Sequence, residues 1–284
     1  MQISVLGLGA MGARIAARLS AAGHAVTVWN RTPGRAPDLD ARRADTPRDA
    51  ARGADAVLSM VRDDDASRAV WTGADGALAG MATGALALEC STLTVGWARA
   101  LAGRAAEAGV AFVDAPVVGS RPHAETGALT VLAGGDAEAV ARARAVVDAF
   151  AGAVHHTGGA GTGAAVKLAV NALFAVQAAA LAELLPMLDA LGVPMADAAT
   201  LLNGLPTASP AAQRVAARMP ERAFAPNFPI ELVAKDLGYA VGAADRAGVT
   251  AGVVAAARDA FAEAAARGFG ADDLIGIVQL HDSA

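Results

Sequence analysis

Lys167 is the only charged residue in the run GTGAAVKLAVN at 161–171, and no other Asp, Glu, Lys or Arg occurs between Asp148 and Glu183. An ammonium group in such a tract has two uses. It reaches past its neighbours to water, or burial tunes it towards neutrality so that it can carry a proton, which arginine does not do. The chain has 23 lysines and arginines together, and only Lys167 and Lys235 are lysines. An arginine-favouring genome accounts for the bulk of that bias and not for the two exceptions. Asn171 lies four residues after Lys167, on the same face of any helix that carries both, so amine and amide can meet one small molecule. A plain hydrogen bond between helices is the competing use of the amide.

A second group of residues reads as a nucleotide site. Gly7-Leu8-Gly9-Ala10-Met11-Gly12 is a G-x-G-x-x-G between an apolar strand and a helical repeat. In that setting Gly7 makes the turn, Gly9 admits a pyrophosphate and Gly12 lets the helix pack closely, with its N-terminus facing the phosphate charge. The next strand, AVTVW, runs into Asn30-Arg31-Thr32. A site for NAD has Asp or Glu at about this distance to hold the ribose 2′-hydroxyl. Arg31 and Thr32 would instead bind a 2′-phosphate by charge and hydrogen bonding, so the expected cofactor is NADP(H) in preference to NAD(H).

The elements that must position these groups follow from periodicity. Strands are predicted at 3–6, 25–29, 54–60, 85–89, 110–113 and 129–132, alternating with helices at 11–22, 64–71, 95–108 and 136–151. Such alternation implies an α/β fold, a doubly wound and mostly parallel sheet of Rossmann type covered on both faces. After Val154-His155-His156 and a glycine-rich loop, helices dominate. A long one is predicted over 162–191, bent at Pro186, with shorter ones near 195–202, 209–219, 230–247 and 250–267. The domain expectation is therefore 1–160 for the Rossmann domain and 161–284 for an all-α domain joined through the long helix.

Composition bounds the setting. A net charge of −5 and a pI near 5.5 give no basic field for nucleic acid or an acidic membrane. The single cysteine, Cys90, excludes an internal disulfide framework and fits a reducing, cytoplasmic compartment. The N-terminus lacks the pattern of a signal peptide. Mean hydropathy is +0.40, raised by alanine, and the most apolar tract, 168–182, is interrupted by Asn171 and Gln177 and reads as a buried helix. The apolar second domain points to a homodimer or homotetramer. His155 and His156 have no companions at metal-ligand spacing, and no metal is expected.

Four blocks, taken together, resemble the β-hydroxyacid dehydrogenase family, which includes 3-hydroxyisobutyrate dehydrogenase and glyoxylate/succinic semialdehyde reductases. They are GLGAMG at 7–12, DAPVVGS at 114–120 running on through GALTVLAGG, GxGxxxKxxxN at 161–171, and Lys235-Asp236-Leu237. The resemblance covers almost the whole chain, and the lysine block is its specific part. It implies an NADP(H)-dependent oxidoreductase acting between a hydroxyacid and a semialdehyde or keto acid, with Lys167 as general acid/base and Asn171 holding substrate. It also implies that Lys235 packs near the nicotinamide, that Thr92 contacts the nicotinamide ribose, and that Val61 and Arg62 stand where the family has a cofactor-contacting Leu-Pro.

The substrate loop departs from the pattern. Where the family reads DAPVSGG, this chain has Val118, Gly119 and Ser120, followed by Arg121 and His123. The lost serine hydroxyl weakens any assumption of a familiar hydroxyacid. Arg121 either restores carboxylate recognition with a bidentate pair or faces solvent. Two other readings stand beside the dehydrogenase. Imine reductases share the architecture and typically lack this lysine, and a non-catalytic NADP(H)-binding module would tolerate loss of Lys167.

Overall fold

The computed structural model describes residues 1–282 and resolves the chain into two compact units, Met1–Lys167 and Leu168 onward. In the first unit, short apolar runs become strands because both sides of each find cover. The elements are β1 (Gln2–Leu6), α1 (Gly12–Ala21), β2 (Ala25–Trp29), β3 (Arg42–Arg43), α2 (Pro47–Ala51), β4 (Ala56–Ser59), α3 (Asp64–Trp71), β5 (Leu86–Glu89), α4 (Val95–Glu107) and β6 (Ala111–Asp114). They are followed by β7 (Val117–Val118), α5 (Arg121–Thr126), β8 (Leu129–Gly134), α6 (Ala137–Val147) and β9 (Ala151–Gly158). The sheet order is β3-β2-β1-β4-β5-β6-β8-β7, with β9 beside β8. Pairing is parallel from β3 through β6, and β8 runs antiparallel to β6 and β7.

This is a doubly wound sheet whose strand order reverses between β1 and β4, the place where such sheets open a crevice at their carboxyl ends. Alternate residues serve opposite faces. Ile3, Val5 and Leu58 pack with Ile15 and Leu19 of α1 and with Val140 and Phe150, whereas Leu6, Val57 and Ala87 pack with Trp71 of α3 and with Trp97 and Leu101 of α4. Both faces are therefore dry, and the functional loops are left at the strand ends.

Two of the segments that differ from the sequence expectation lie near the site. The helix predicted over 136–151 ends at Val147, because Ala149 and Phe150 close a tight turn onto Val146 and Val147 and Phe150 is wholly buried. Residues 151–158 then form β9 on β8. The alanine-rich run had hidden the break, since alanine continues a helical pattern wherever it falls. The second is α5, a short helix in what read as loop, started by Ser120 with Pro122 in its first turn and stopped by Gly127 at φ 73°.

α7 (Thr162–Ala190) runs unbroken from the first unit into the second. By length and composition alone it could cross a membrane, and half of its most apolar window is buried within the protein. In the second unit it is joined by α8 (Met195–Asn203), α9 (Pro210–Arg218), α10 (Ile230–Arg246) and α11 (Gly252–Ala264), with a 3₁₀ segment over Leu274–His281. Ala175, Ala178 and Ala182 form the buried edge of α7 against Ile230, Val233, Phe261 and Ile275. Small side chains there let the helix axes approach closely. Asp273, fully buried, fastens the end of the chain by accepting the backbone N–H groups of Asn227 and Phe228 and pairing with Arg218.

Phe261 is the largest fully buried side chain of this second core. Phe261→Ala should lower stability by about 3–5 kcal/mol, the cost of the lost transfer energy plus the cavity. Urea denaturation measures it, and a loss under 1 kcal/mol would show that the alanine-lined core collapses onto the space.

Candidate active site

The glycine loop after β1 is built for a close neighbour on one side and open on the other. A Cβ on Gly7, which sits at φ 99°, would lie 2.3 Å from the Met60 carbonyl oxygen, and one on Gly12 would lie 2.0 Å from the Gly7 carbonyl oxygen. Those two glycines are required by the backbone. Gly9 has nothing within 4 Å, and Ala10 beside it is exposed while Leu8 and Met11 turn inward. The free space at Gly9, at the start of α1, is what a pyrophosphate needs, so the residues present fit a dinucleotide.

Asn30 has a double task. Its side-chain oxygen accepts the Leu8 N–H at 2.8 Å and its amide donates to the Thr32 carbonyl at 2.8 Å. It thus locks the glycine loop to the Asn-Arg-Thr turn, and its own groups are spent on backbone. Arg43 on β3 extends the lock by donating to the carbonyls of Arg35 and Ala36. Arg31 and Thr32 are carried on the outer surface of this fixed turn, both exposed or half-exposed.

The loops after β4 and β5 are tied together from beneath. Glu89, at the end of β5, accepts hydrogen bonds from Ser67 Oγ at 2.7 Å, Trp71 Nε1 at 2.7 Å and the Ser91 N–H at 2.9 Å. Ser91 Oγ in turn accepts the Val61 N–H at 2.8 Å. Val61 touches the space over Gly7, and Thr92 follows Ser91, so this buried carboxyl holds the backbone of both expected cofactor-contacting loops. Burial pushes Glu89 above the ordinary carboxylate range, against the pull of its hydrogen bonds, and also pushes the adjacent Cys90 thiol well up. Arg62 is exposed and pairs loosely with Asp63.

The loop expected to hold substrate follows β6. Val118 is half-buried on β7. Gly119 stands at φ 123°, where a Cβ would meet Leu129 at 2.8 Å. The Ser120 N–H is accepted by His123 Nδ1 at 3.3 Å, so His123 closes the first turn of α5. Arg121 opens that helix, and its Nε is buried with no hydrogen-bond partner among the described residues.

Lys167 lies on the second turn of α7 and is 9% exposed. The start of that helix is held by Asp114, the last residue of β6. Its two oxygens accept the Gly161 N–H at 2.7 Å and the Ala164 N–H at 2.8 Å. Burial raises the Asp114 carboxyl from 3.8 to about 6, although these backbone donors pull it down. Its folded value thus exceeds its unfolded one. The group favours the fold most below about pH 4, and that contribution is lost as pH rises through about 6.

In the second unit Asn171 donates to Asp236 Oδ2 at 2.6 Å. Asp236 Oδ1 pairs with Lys235 Nζ at 2.8 Å, and that ammonium stands 4.5 Å from the Tyr239 ring centre. The helix-to-helix bond from Asn171 therefore exists, and it turns the amide carbonyl away from Asp236. The structure joins Asn171 to Lys235 through Asp236, and joins Gly7, Leu8, Asn30 and Thr32 through Asn30. It joins the first turn of α7, which precedes Lys167, to β6 through Asp114. Glu89 and Asp114 were missed as site-building residues, although each is a carboxylate closing an apolar strand, which is the available signal. Among the described residues no group of three His, Cys, Asp or Glu could hold a metal ion.

Residues 2–158 match the NAD-binding domain of 6-phosphogluconate dehydrogenase, and residues 161–281 match the NAD-binding domain of NADP-dependent 3-hydroxyisobutyrate dehydrogenase. The chain is 33% identical over 275 residues to a 3-hydroxyisobutyrate dehydrogenase of Pseudomonas aeruginosa, covering 91% of this chain and 90% of that one. The chain belongs to the β-hydroxyacid dehydrogenase family.

It is 35% identical over 253 residues to an NAD-dependent L-serine dehydrogenase of the same organism, covering 86% of this chain and 85% of that one. Among solved structures, the 3-hydroxyisobutyrate dehydrogenase of Mycobacterium tuberculosis with L-serine superimposes with a TM-score of 0.91 at 30% identity, over 99% of each chain. A Streptomyces aurantiacus imine reductase, matched over 100% of each chain, has a TM-score of 0.60 at 28% identity. As a β-hydroxyacid dehydrogenase family member the protein is an NAD(P)-dependent oxidoreductase with a small-molecule substrate.

The Glu89 network tests the cofactor loops. Glu89→Ala leaves three buried donors without an acceptor, at about 1–3 kcal/mol each. Chemical denaturation should show a loss of at least about 3 kcal/mol, with weaker NADPH binding by fluorescence titration in the variant that still folds. Unchanged stability would mean that water replaces the carboxylate.

Proposed function

We propose that the chain is an NADP(H)-preferring enzyme that interconverts a small carboxylate-bearing alcohol and the corresponding semialdehyde or keto acid, with Lys167 as general acid/base. The observation that carries this reading is a single buried lysine held one turn beyond a clamped helix start, in a chain whose relatives include a 3-hydroxyisobutyrate dehydrogenase and an L-serine dehydrogenase.

The bound nicotinamide supplies or takes the hydride. The chain does the rest. The open face at Gly9 and the N-terminus of α1 receive the pyrophosphate. Arg31 and Thr32 offer charge and a hydroxyl to a 2′-phosphate, on a turn that Asn30 fixes. As a carbonyl carbon is reduced, its oxygen gains negative charge, and the Lys167 ammonium donates a proton to that oxygen. In the other direction the neutral amine takes the hydroxyl proton as the carbon is oxidised. Asn171 presents an amide fixed by Asp236, suited to a substrate hydroxyl or carboxylate.

Arg121 supports the carboxylate class. Its Nε–H is buried without an acceptor, and a buried donor of that kind gains more from a carboxylate than a solvated one does. It would compensate for the serine that Val118 replaces. In the second unit Leu173, Leu191, Leu201 and Val253 are exposed, which supports a homo-oligomer.

Two measurements test the reading. Binding of NADPH and NADH should differ by about tenfold or more in favour of NADPH, and Arg31→Ala should erase the difference by weakening NADPH alone; a preference for NADH, as in the L-serine relative, would remove the NADP assignment. NADPH oxidation should be screened over glyoxylate, succinic semialdehyde, tartronate semialdehyde and cyclic imines, with NADP⁺ reduction by L-serine and 3-hydroxyisobutyrate. Lys167→Ala should lower kcat by about 10²–10⁴-fold with cofactor affinity kept. Turnover of cyclic imines by that variant at the wild-type rate would favour the imine reductase reading.

A further inference from the structure

We propose that Asp114 is a positioning residue for Lys167, its carboxylate clamping the first turn of α7 so that the lysine one turn further on is held in register with the carboxyl end of β6. The inference rests on the role given to Lys167 above.

A helix start leaves backbone N–H groups without partners, and a side chain from within one or two residues usually caps them. Here the cap comes from a strand 47 and 50 residues earlier: Asp114 Oδ1 takes the Gly161 N–H and Oδ2 takes the Ala164 N–H. A bidentate carboxylate fixes both the depth and the rotation of the turn, which a single local cap does not. Lys167 follows Ala164 by three residues, about 4.5 Å along the axis. Any shift at the clamp therefore reaches the Cα of Lys167, from which its side chain starts.

The surroundings are shaped to the clamp. A Cβ on Gly134 would lie 2.5 Å from Asp114 Oδ1, and one on Gly163 would lie 2.9 Å from Oδ2 and 2.3 Å from the Leu132 carbonyl oxygen. Glycine at both places lets the helix start sit against β6 and β8. Thr157 and Thr162 share a hydrogen bond at 2.7 Å, and Thr162 also donates to the Gly159 carbonyl, closing the other side of the turn.

The charged and titratable groups that face this turn are few. Glu89 is the register partner of Asp114 on β5. Arg99 of α4 lies against Gly161, His156 of β9 bonds the carbonyls of Gly135 and Gly158, and Lys167 is the next charge on α7. A clamp that needs two acceptor oxygens works as the carboxylate. With the carboxyl titrating near pH 6, the clamp loosens on the acid side of neutrality.

The test is the pH profile of Asp114→Asn beside wild type, with cofactor binding measured on the same samples. An asparagine has one acceptor oxygen, and its NH2 would oppose a backbone N–H. The expected result is a kcat at least tenfold lower at pH 7.5 with NADPH affinity within twofold, and loss of the acid limb that wild-type kcat shows near pH 6. A variant with wild-type kcat, or one that keeps the same limb, overturns the proposal. If Asp114→Asn does not fold, the wild-type profile decides: an acid limb near pH 6 in kcat and absent from cofactor affinity supports the clamp, and a kcat flat down to pH 5 overturns it. Lys167→Ala run alongside separates the two ideas. Wild-type turnover in that variant removes the general acid and the clamp's purpose with it, whereas its inactivity beside an unaltered Asp114→Asn removes the clamp alone.

Discussion

A carboxylate buried at the end of β6 must find donors, and the donors it finds are the unpaired N–H groups at the start of α7. This one exchange ties sheet to helix. It satisfies a buried charge and a helix terminus at once, two groups that would each be costly alone. It also explains why the glycines at 134 and 163 cannot be anything larger. The backbone that carries Lys167 starts from that contact, and the loop expected to hold substrate begins one residue beyond it. At neutral pH the ionised group opposes stability, because burial has raised its titration. A polar group kept at some cost to stability is the pattern expected of a site rather than of a core.

Glu89 meets the same problem differently. It occupies the matching place on the neighbouring strand, yet its partners are side chains of α3 and the backbone of its own loop. Asp114 reaches out of the sheet to fix a helix, and Glu89 reaches sideways to fix two loops. Together they convert the carboxyl edge of a parallel sheet, where backbone groups run out of strand partners, into a rigid platform. Catalysis by position needs such rigidity, since small misplacements of a reacting group are expensive.

The parts of this design visible in the sequence were those where chemistry restricts residue type. Gly7 and Gly12 announced the nucleotide loop because the backbone there leaves no room for a Cβ, Gly9 because a pyrophosphate needs its open side, and Lys167 stood out because the chain spells its other cations, Lys235 excepted, as arginine. The strand–helix alternation was equally plain, since both faces of the sheet are apolar. What escaped depends on partners far off in the chain. A cap 47 residues before its helix leaves no local trace. β9 was invisible because alanine and glycine carry no period, and only the burial of Phe150 and pairing with β8 reveal it. His123 looked like a loop residue because its work, accepting the Ser120 N–H, is set by a six-residue helix too short to show a repeat.

Asn30 shows how architecture and cofactor choice become one question. The side chain at the end of β2 must accept from the Leu8 N–H and donate to the Thr32 carbonyl. An ionised aspartate could do the first and not the second, having no donor. A turn held this way therefore requires an amide, and an amide at this position leaves no negative charge facing the ribose. The absence of the acid that would select NAD is thus a consequence of how the loop is fastened, and Arg31 then stands on a turn already free of repulsion for a phosphate. The preference for the phosphorylated cofactor proposed above would then follow from a single side chain that holds two loops together.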